Sequence, residues 1–131
     1  DDAIERTKRY IDAGAEICFA DGIGTREELE KFAKELSGSG AYLVANMIEG
    51  GKTPLIPAKE LEQMGFSLVF WACSAVYTIS KALYDLFGNL AQDGTTEKSL
   101  DRMIEFSQFN SMIGLDTYKE YERKYKVDRD D

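Results

Sequence analysis

Three short apolar runs alternate with stretches of helical periodicity, and no other feature constrains the fold of this 131-residue chain as strongly. The runs are Ala15-Glu-Ile-Cys-Phe-Ala20, Ala41-Tyr-Leu-Val-Ala45 and Phe66-Ser-Leu-Val-Phe-Trp71. Each is rich in residues that favour strands. Strands separated by helices pair in parallel through right-handed crossovers, so the order helix, strand, helix, strand, helix, strand, helix defines an α/β chain.

The helical stretches have their own signals. Asp1 to Ala13 carries Ile4 and Ile11 on one face, with Gly14 as a C-terminal cap. Thr25-Arg-Glu-Glu28 has the Ser/Thr-x-x-Glu form of a capping box, and Leu29, Phe32, Ala33 and Leu36 follow at the spacing of one helical face. Pro57 to Met64 predicts a short helix ended by Gly65. The longest helix is predicted from Ser74 to Ala91, with an apolar stripe of Val76, Ile79, Leu83, Leu86, Phe87 and Leu90, and Gly94 stops it. A further helix starts near Thr96, and a less regular segment surrounds Gly114. A last helix is capped by Asp116 and carries Tyr118, Tyr121 and Tyr125, and a frayed tail is expected from Val127 to Asp131.

Apolar runs of this kind expect strand neighbours and cover on both faces. Three parallel strands leave two open edges and are too few to close, and the chain is well short of the roughly 250 residues of a complete (β/α)8 barrel. The sequence therefore reads as an arc of something larger, or as the obligate partner of another chain.

In parallel α/β proteins, ligands bind beyond the carboxyl ends of the strands. The best-placed polar loop is Asn46-Met-Ile-Glu-Gly-Gly-Lys-Thr53, closed by Pro54. Asn46 ends an otherwise apolar strand, so its amide must find partners or face a cavity. Asp21 follows the first strand, either as a ligand-orienting carboxylate or as a turn former beside Gly22. Glu49 and Lys52 read as solvated loop residues, Cys73 and Ser74 as packing and helix-capping residues, and Tyr77 as core or interface. Gly50-Gly-Lys-Thr53 is not a phosphate loop, because the earlier glycine position holds Asn46 and Pro54 lacks the N–H that a phosphate-binding helix start needs.

Composition narrows the chemistry. The chain has no histidine, which rules out Ser-His-Asp or Cys-His nucleophiles and imidazole zinc sites within it. A net charge of −8 without a basic cluster argues against nucleic acid and anionic membranes as partners. No apolar run reaches the length of a transmembrane helix. Cys18 and Cys73, both in apolar runs, suggest reduced buried thiols and a cytoplasmic location.

Leu43-Val-Ala-Asn-Met-Ile-Glu-Gly-Gly-Lys-Thr-Pro-Leu55 resembles the loop after the seventh strand in the isocitrate lyase/phosphoenolpyruvate mutase superfamily. The likeness is strongest to its methylisocitrate lyase and carboxyvinyl-carboxyphosphonate phosphorylmutase-like branch. Flanking stretches agree: Glu5-Arg-x-x-x-Tyr-x-x-Ala-Gly-Ala15, Glu60-Leu-x-x-Met-Gly-Phe66, Gly94-Thr95 and Phe106-x-x-Phe-Asn-x-x-Ile-Gly-Leu115.

The resemblance implies strands six to eight of a (β/α)8 TIM barrel over residues 1–95, followed by a C-terminal helical arm over 96–131 that swaps between subunits of a homotetramer. It also implies a carbon–carbon lyase in which Mg2+, bound mainly by residues outside this chain, holds a small 2-hydroxy or 2-oxo dicarboxylic acid through an enolate intermediate. Phosphonate mutase and oxaloacetate decarboxylase activities of the same superfamily are the alternatives within that class. A non-catalytic half-barrel interaction module is the alternative outside it.

Catalytic and metal-binding side chains are expected in the missing N-terminal barrel segment. By position, Asn46, Met47 and Ile48 match a substrate-carboxylate contact, and Asp21 stands where many relatives have a substrate-side Glu. Relatives that cleave methylisocitrate have Arg where this chain has Tyr77 and Ser107. The loss of two guanidiniums argues for a substrate smaller than a tricarboxylate.

Overall fold

The computed structural model describes residues 2–126; the expected frayed tail from Val127 lies outside them. Two compact units, Asp1–Lys81 and Ala82–Asp131, divide within one long helix.

In the first unit, α1 (Asp2–Asp12), β1 (Ile17–Phe19), α2 (Arg26–Glu35), β2 (Tyr42–Asn46), α3 (Ala58–Met64) and β3 (Leu68–Phe70) alternate, and α4 (Ser74–Asp93) follows. The strands form one parallel sheet in the order β1-β2-β3. All three predicted strands are present. β1 and β3 are shorter than their apolar runs, each being paired along one edge only.

Strand parity divides the sheet into two unlike faces. Cys18, Leu43, Ala45 and Met47 point to one side and join Ile4, Leu29, Phe32, Ala33, Leu36, Ile56, Leu61 and Phe66 in a single core, with Val69 packed against it. The helical spacing of α2 is what delivers Leu29, Phe32 and Ala33 to that core. Its first turn is held by the predicted capping box, in which Thr25 Oγ1 accepts from the Glu28 N–H while the Glu28 carboxylate accepts from the Thr25 N–H.

The opposite face is open. Ile17, Phe19, Tyr42, Leu68 and Phe70 lie on it and remain exposed, with Ile17 at 64%. Cover on both faces was the expectation; within this chain only the helix-facing side has it. α4 behaves similarly, and none of its predicted stripe is buried.

The second unit contains a 3-10 turn (Glu97–Arg102) where a helix from Thr96 is expected, then α5 (Phe106–Met112) and α6 (Leu115–Tyr125). Gly114, at φ +77°, takes the N-cap position of α6, so Asp116 lies inside the first turn and does not cap it. Phe106, Met112, Tyr118 and Tyr125 are all exposed. Among the described residues no helix is long and apolar enough to cross a membrane.

Candidate functional site at the carboxyl end of the sheet

The carboxyl end of β2 carries the polar loop singled out in the sequence. Asn46 pairs in register with Phe70 of β3, and two residues earlier Val44 pairs with Phe19 and Leu68. Period-two alternation therefore puts Asn46 on the open face of the sheet, at its carboxyl edge. Its Oδ1 is buried and has no hydrogen-bond partner. An amide oxygen in that state awaits a donor from outside the residues that bury it.

Met47 points the other way and is 0% exposed. Its sulfur accepts from the Ile56 N–H at 3.4 Å, and its own N–H donates to the Phe70 carbonyl at 2.9 Å. The side chain thus belongs to the scaffold beneath the loop. Ile48, half-buried, opens a turn closed by the Gly51 N–H on the Ile48 carbonyl at 3.0 Å. Gly50 sits in that turn at φ +71°. A β-carbon at Gly51 would lie 3.0 Å from the Ile48 oxygen, so the turn needs glycine there.

Glu49 is half-buried and not the solvated residue that its loop position suggests. Its Oε1 accepts a hydrogen bond from the hydroxyl of Ser74, the first residue of α4. That bond, followed by one from its own backbone, holds its pKa below the ordinary glutamate value. Its Oε2 is buried without a partner. Within the first turn of α4 the Tyr77 N–H donates to the Cys73 carbonyl at 2.8 Å. The Tyr77 hydroxyl is held above the ordinary tyrosine value, first by a hydrogen bond with the Cys73 side chain and last by the Glu49 charge. Cys73 is half-buried where a buried thiol was expected, and Tyr77 is exposed, which excludes the core reading and leaves the interface one; Cys18 is buried, and neither cysteine is in a disulfide.

Asp21 lies in the loop after β1, exposed, and lines a cavity of about 1060 Å³ along the open edge of β1. Lys52 and Glu28 share that lining, whereas Asn46, Met47 and Ile48 do not. The Glu28 carboxylate accepts from the N–H groups of Gly24 and Thr25 at 3.0 and 3.2 Å. The Lys52 stem crosses the same loop, 3.5 Å from where a β-carbon at Gly24 would stand. The loops after β1 and β2 are thus in contact through Lys52, while Asn46 lies outside the cavity that Asp21 lines. Among the described residues no three His, Cys, Asp or Glu side chains converge as a metal-ligand set.

A parallel sheet with helices on one face, an open apolar opposite face and polar loops at its carboxyl edge is an arc of a TIM barrel. A model of the phosphoenolpyruvate phosphomutase family matches residues 1–91. The chain belongs to that family, within the phosphoenolpyruvate mutase/isocitrate lyase superfamily.

It is 37% identical to 2,3-dimethylmalate lyase of Eubacterium barkeri over 129 residues, covering 98% of this chain and 44% of that enzyme. It is 39% identical to the chloroplastic carboxyvinyl-carboxyphosphonate phosphorylmutase of Arabidopsis thaliana over 125 residues, covering 95% of this chain and 36% of that protein. A crystal structure of 2,3-dimethylmalate lyase superposes with a TM-score of 0.77 at 28% identity, over 94% of this chain and 42% of the solved one. The chain therefore spans about two fifths of the length of the relatives it matches. Those relatives are lyases and mutases of one superfamily.

Proposed function

We propose that this chain forms one wall of the active site of a carbon–carbon lyase acting on a small 2-hydroxy or 2-oxo dicarboxylic acid. The observation that carries the reading is the buried, partnerless Oδ1 of Asn46 at the carboxyl end of β2. A carboxamide donates through Nδ2 and accepts through Oδ1. A 2-hydroxy acid presents an acceptor carboxylate and a donor hydroxyl on adjacent carbons, which suits both ends of Asn46. The identity to 2,3-dimethylmalate lyase agrees with a substrate of this size.

In this reading Asn46 orients the substrate carboxylate and hydroxyl. Met47 and Ile48 fix the backbone that presents it, and Asp21 stands on the adjoining rim. Mg2+, as a Lewis acid toward the substrate oxygens, belongs to the proposal as a group held by side chains outside this chain. The convergent ligand set it needs is not found among the described residues, and no step assigned to this chain passes through the ion. The remaining strands of the barrel cover the open sheet face and exclude water while the carbon–carbon bond breaks to an enolate. The exposed aromatic residues of α5 and α6 suit burial against a second copy, as in a swapped tetramer in the cytoplasm.

A phosphonate mutase or an oxaloacetate decarboxylase would use the same wall. A screen of 2-hydroxy acids, 2-oxo acids and phosphonates on the full-length protein, run beside Asn46→Ala, tests the reading. Turnover of a diacid that the substitution lowers by about 100-fold supports it. Turnover confined to phosphonates, or none in any class, overturns it.

A further inference from the structure

We propose that Glu49 is a positioning residue. Its carboxylate locks the loop after β2 onto the first turn of α4 and thereby fixes the orientation of the Asn46 carboxamide. The inference rests on the reading of Asn46 as a substrate contact.

The loop has little stiffness of its own. Gly50 occupies a left-handed conformation and Gly51 packs its bare α-carbon against Ile48, so two successive positions lack side chains. Between them and Asn46 stands Glu49, whose Oε1 takes the Ser74 hydroxyl across 25 residues of sequence. A negative charge there is favoured by the amino-terminal dipole of the 20-residue helix α4.

The second carboxylate oxygen and the amide oxygen of Asn46 are both buried and both without donors. Both ends of the loop therefore carry an acceptor that no donor within the described residues satisfies. A donor arriving at Asn46, whether a substrate hydroxyl or a water, meets a pre-set acceptor only if the loop that carries it is held still. A carboxylate does this as an acceptor on both oxygens, whereas an amide would place an N–H₂ where one acceptor stands.

The test uses Glu49→Ala, Glu49→Gln, Ser74→Ala and Ser74→Thr in the full-length protein, each also combined with Asn46→Ala. Amide hydrogen exchange at Gly51, whose N–H closes the turn on Ile48, reads the stiffness of the loop. Glu49→Ala and Ser74→Ala, which remove the acceptor and the donor of the lock, are expected to speed that exchange about tenfold, while Glu49→Gln and Ser74→Thr, which keep an acceptor and a hydroxyl, leave it near the unaltered rate. In steady-state kinetics on a 2-hydroxy diacid, Glu49→Ala raises KM by about tenfold, and the effect disappears on the Asn46→Ala background because the two residues act as one unit.

Unchanged exchange at Gly51 overturns the proposal. So does a Glu49→Ala penalty of equal size with and without Asn46, since that marks a general structural loss. A full-length protein that turns over no diacid sinks the substrate reading, and the exchange rates still decide the lock.

Discussion

The rings of Phe19 and Phe70 meet at 5.6 Å between centroids, tilted by 59°, although their strands are separated by β2. They close over the middle strand from both sides, and Val44 beneath them is buried although it lies outside the helix-facing core. Their own outer surfaces stay open, with Phe19 at 47% exposure. This is the start of a barrel interior whose remaining layers come from elsewhere.

The two sheet faces therefore differ in what they contribute to stability. Phe32→Ala, on the helix-facing side, is expected to cost about 3–5 kcal/mol in urea unfolding of this chain. Phe19→Ala is expected to cost less, about 1–2 kcal/mol, because nearly half of the side chain is already in solvent and its remaining partner is the Phe70 ring. Equal costs would show that the open face is already packed.

Covering the open face with the other strands of a barrel should narrow that difference. Addition of a polypeptide carrying the other strands of a barrel is expected to lower the fluorescence of an apolar dye bound to the exposed Ile17, Phe19, Tyr42, Leu68 and Phe70. No change in that signal would mean that the open face is not where those strands dock.

The capping box of α2 makes a local prediction. Thr25→Ala is expected to destabilise the chain by about 1 kcal/mol, and Thr25→Ser by much less, as read from thermal unfolding. An alanine variant as stable as the unaltered chain would show that the box contributes nothing.

Two groups set a pH dependence of known sign. Glu49 has a folded pKa below its unfolded value, so its contribution to stability is present above the ordinary glutamate range and lost as pH falls through the lowered value. Tyr77 has a raised folded pKa, so its contribution is present below the ordinary tyrosine range and lost as pH rises through the raised value. The Tm difference between the unaltered chain and Glu49→Gln should shrink on the acid side. The difference from Tyr77→Phe should change on the alkaline side. Differences constant from acid to alkaline pH would contradict both assignments.

Much of this was legible in the residues themselves. The period of Leu29, Phe32 and Ala33 and the Thr25–Glu28 pairing fixed α2, and the apolar runs fixed three parallel strands and the shortage of neighbours around them. The polar end of β2 marked Asn46. The Glu49–Ser74 bond was not legible, because it joins residues 25 positions apart and only the folded sheet sets α4 beside the loop. Met47 shares a short motif with Asn46, yet strand parity sends it into the core. Asp116 resembled a helix cap because Asp is a common one, but the left-handed Gly114 begins the helix earlier.

The most direct measurement is kcat/KM of the full-length protein on the small 2-hydroxy diacid it turns over fastest, with and without Asn46→Ala. An amide that both donates to the carboxylate and accepts from the hydroxyl predicts a fall of about 100-fold or more in a protein that remains folded. An unchanged kcat/KM in that variant would contradict the account at its root.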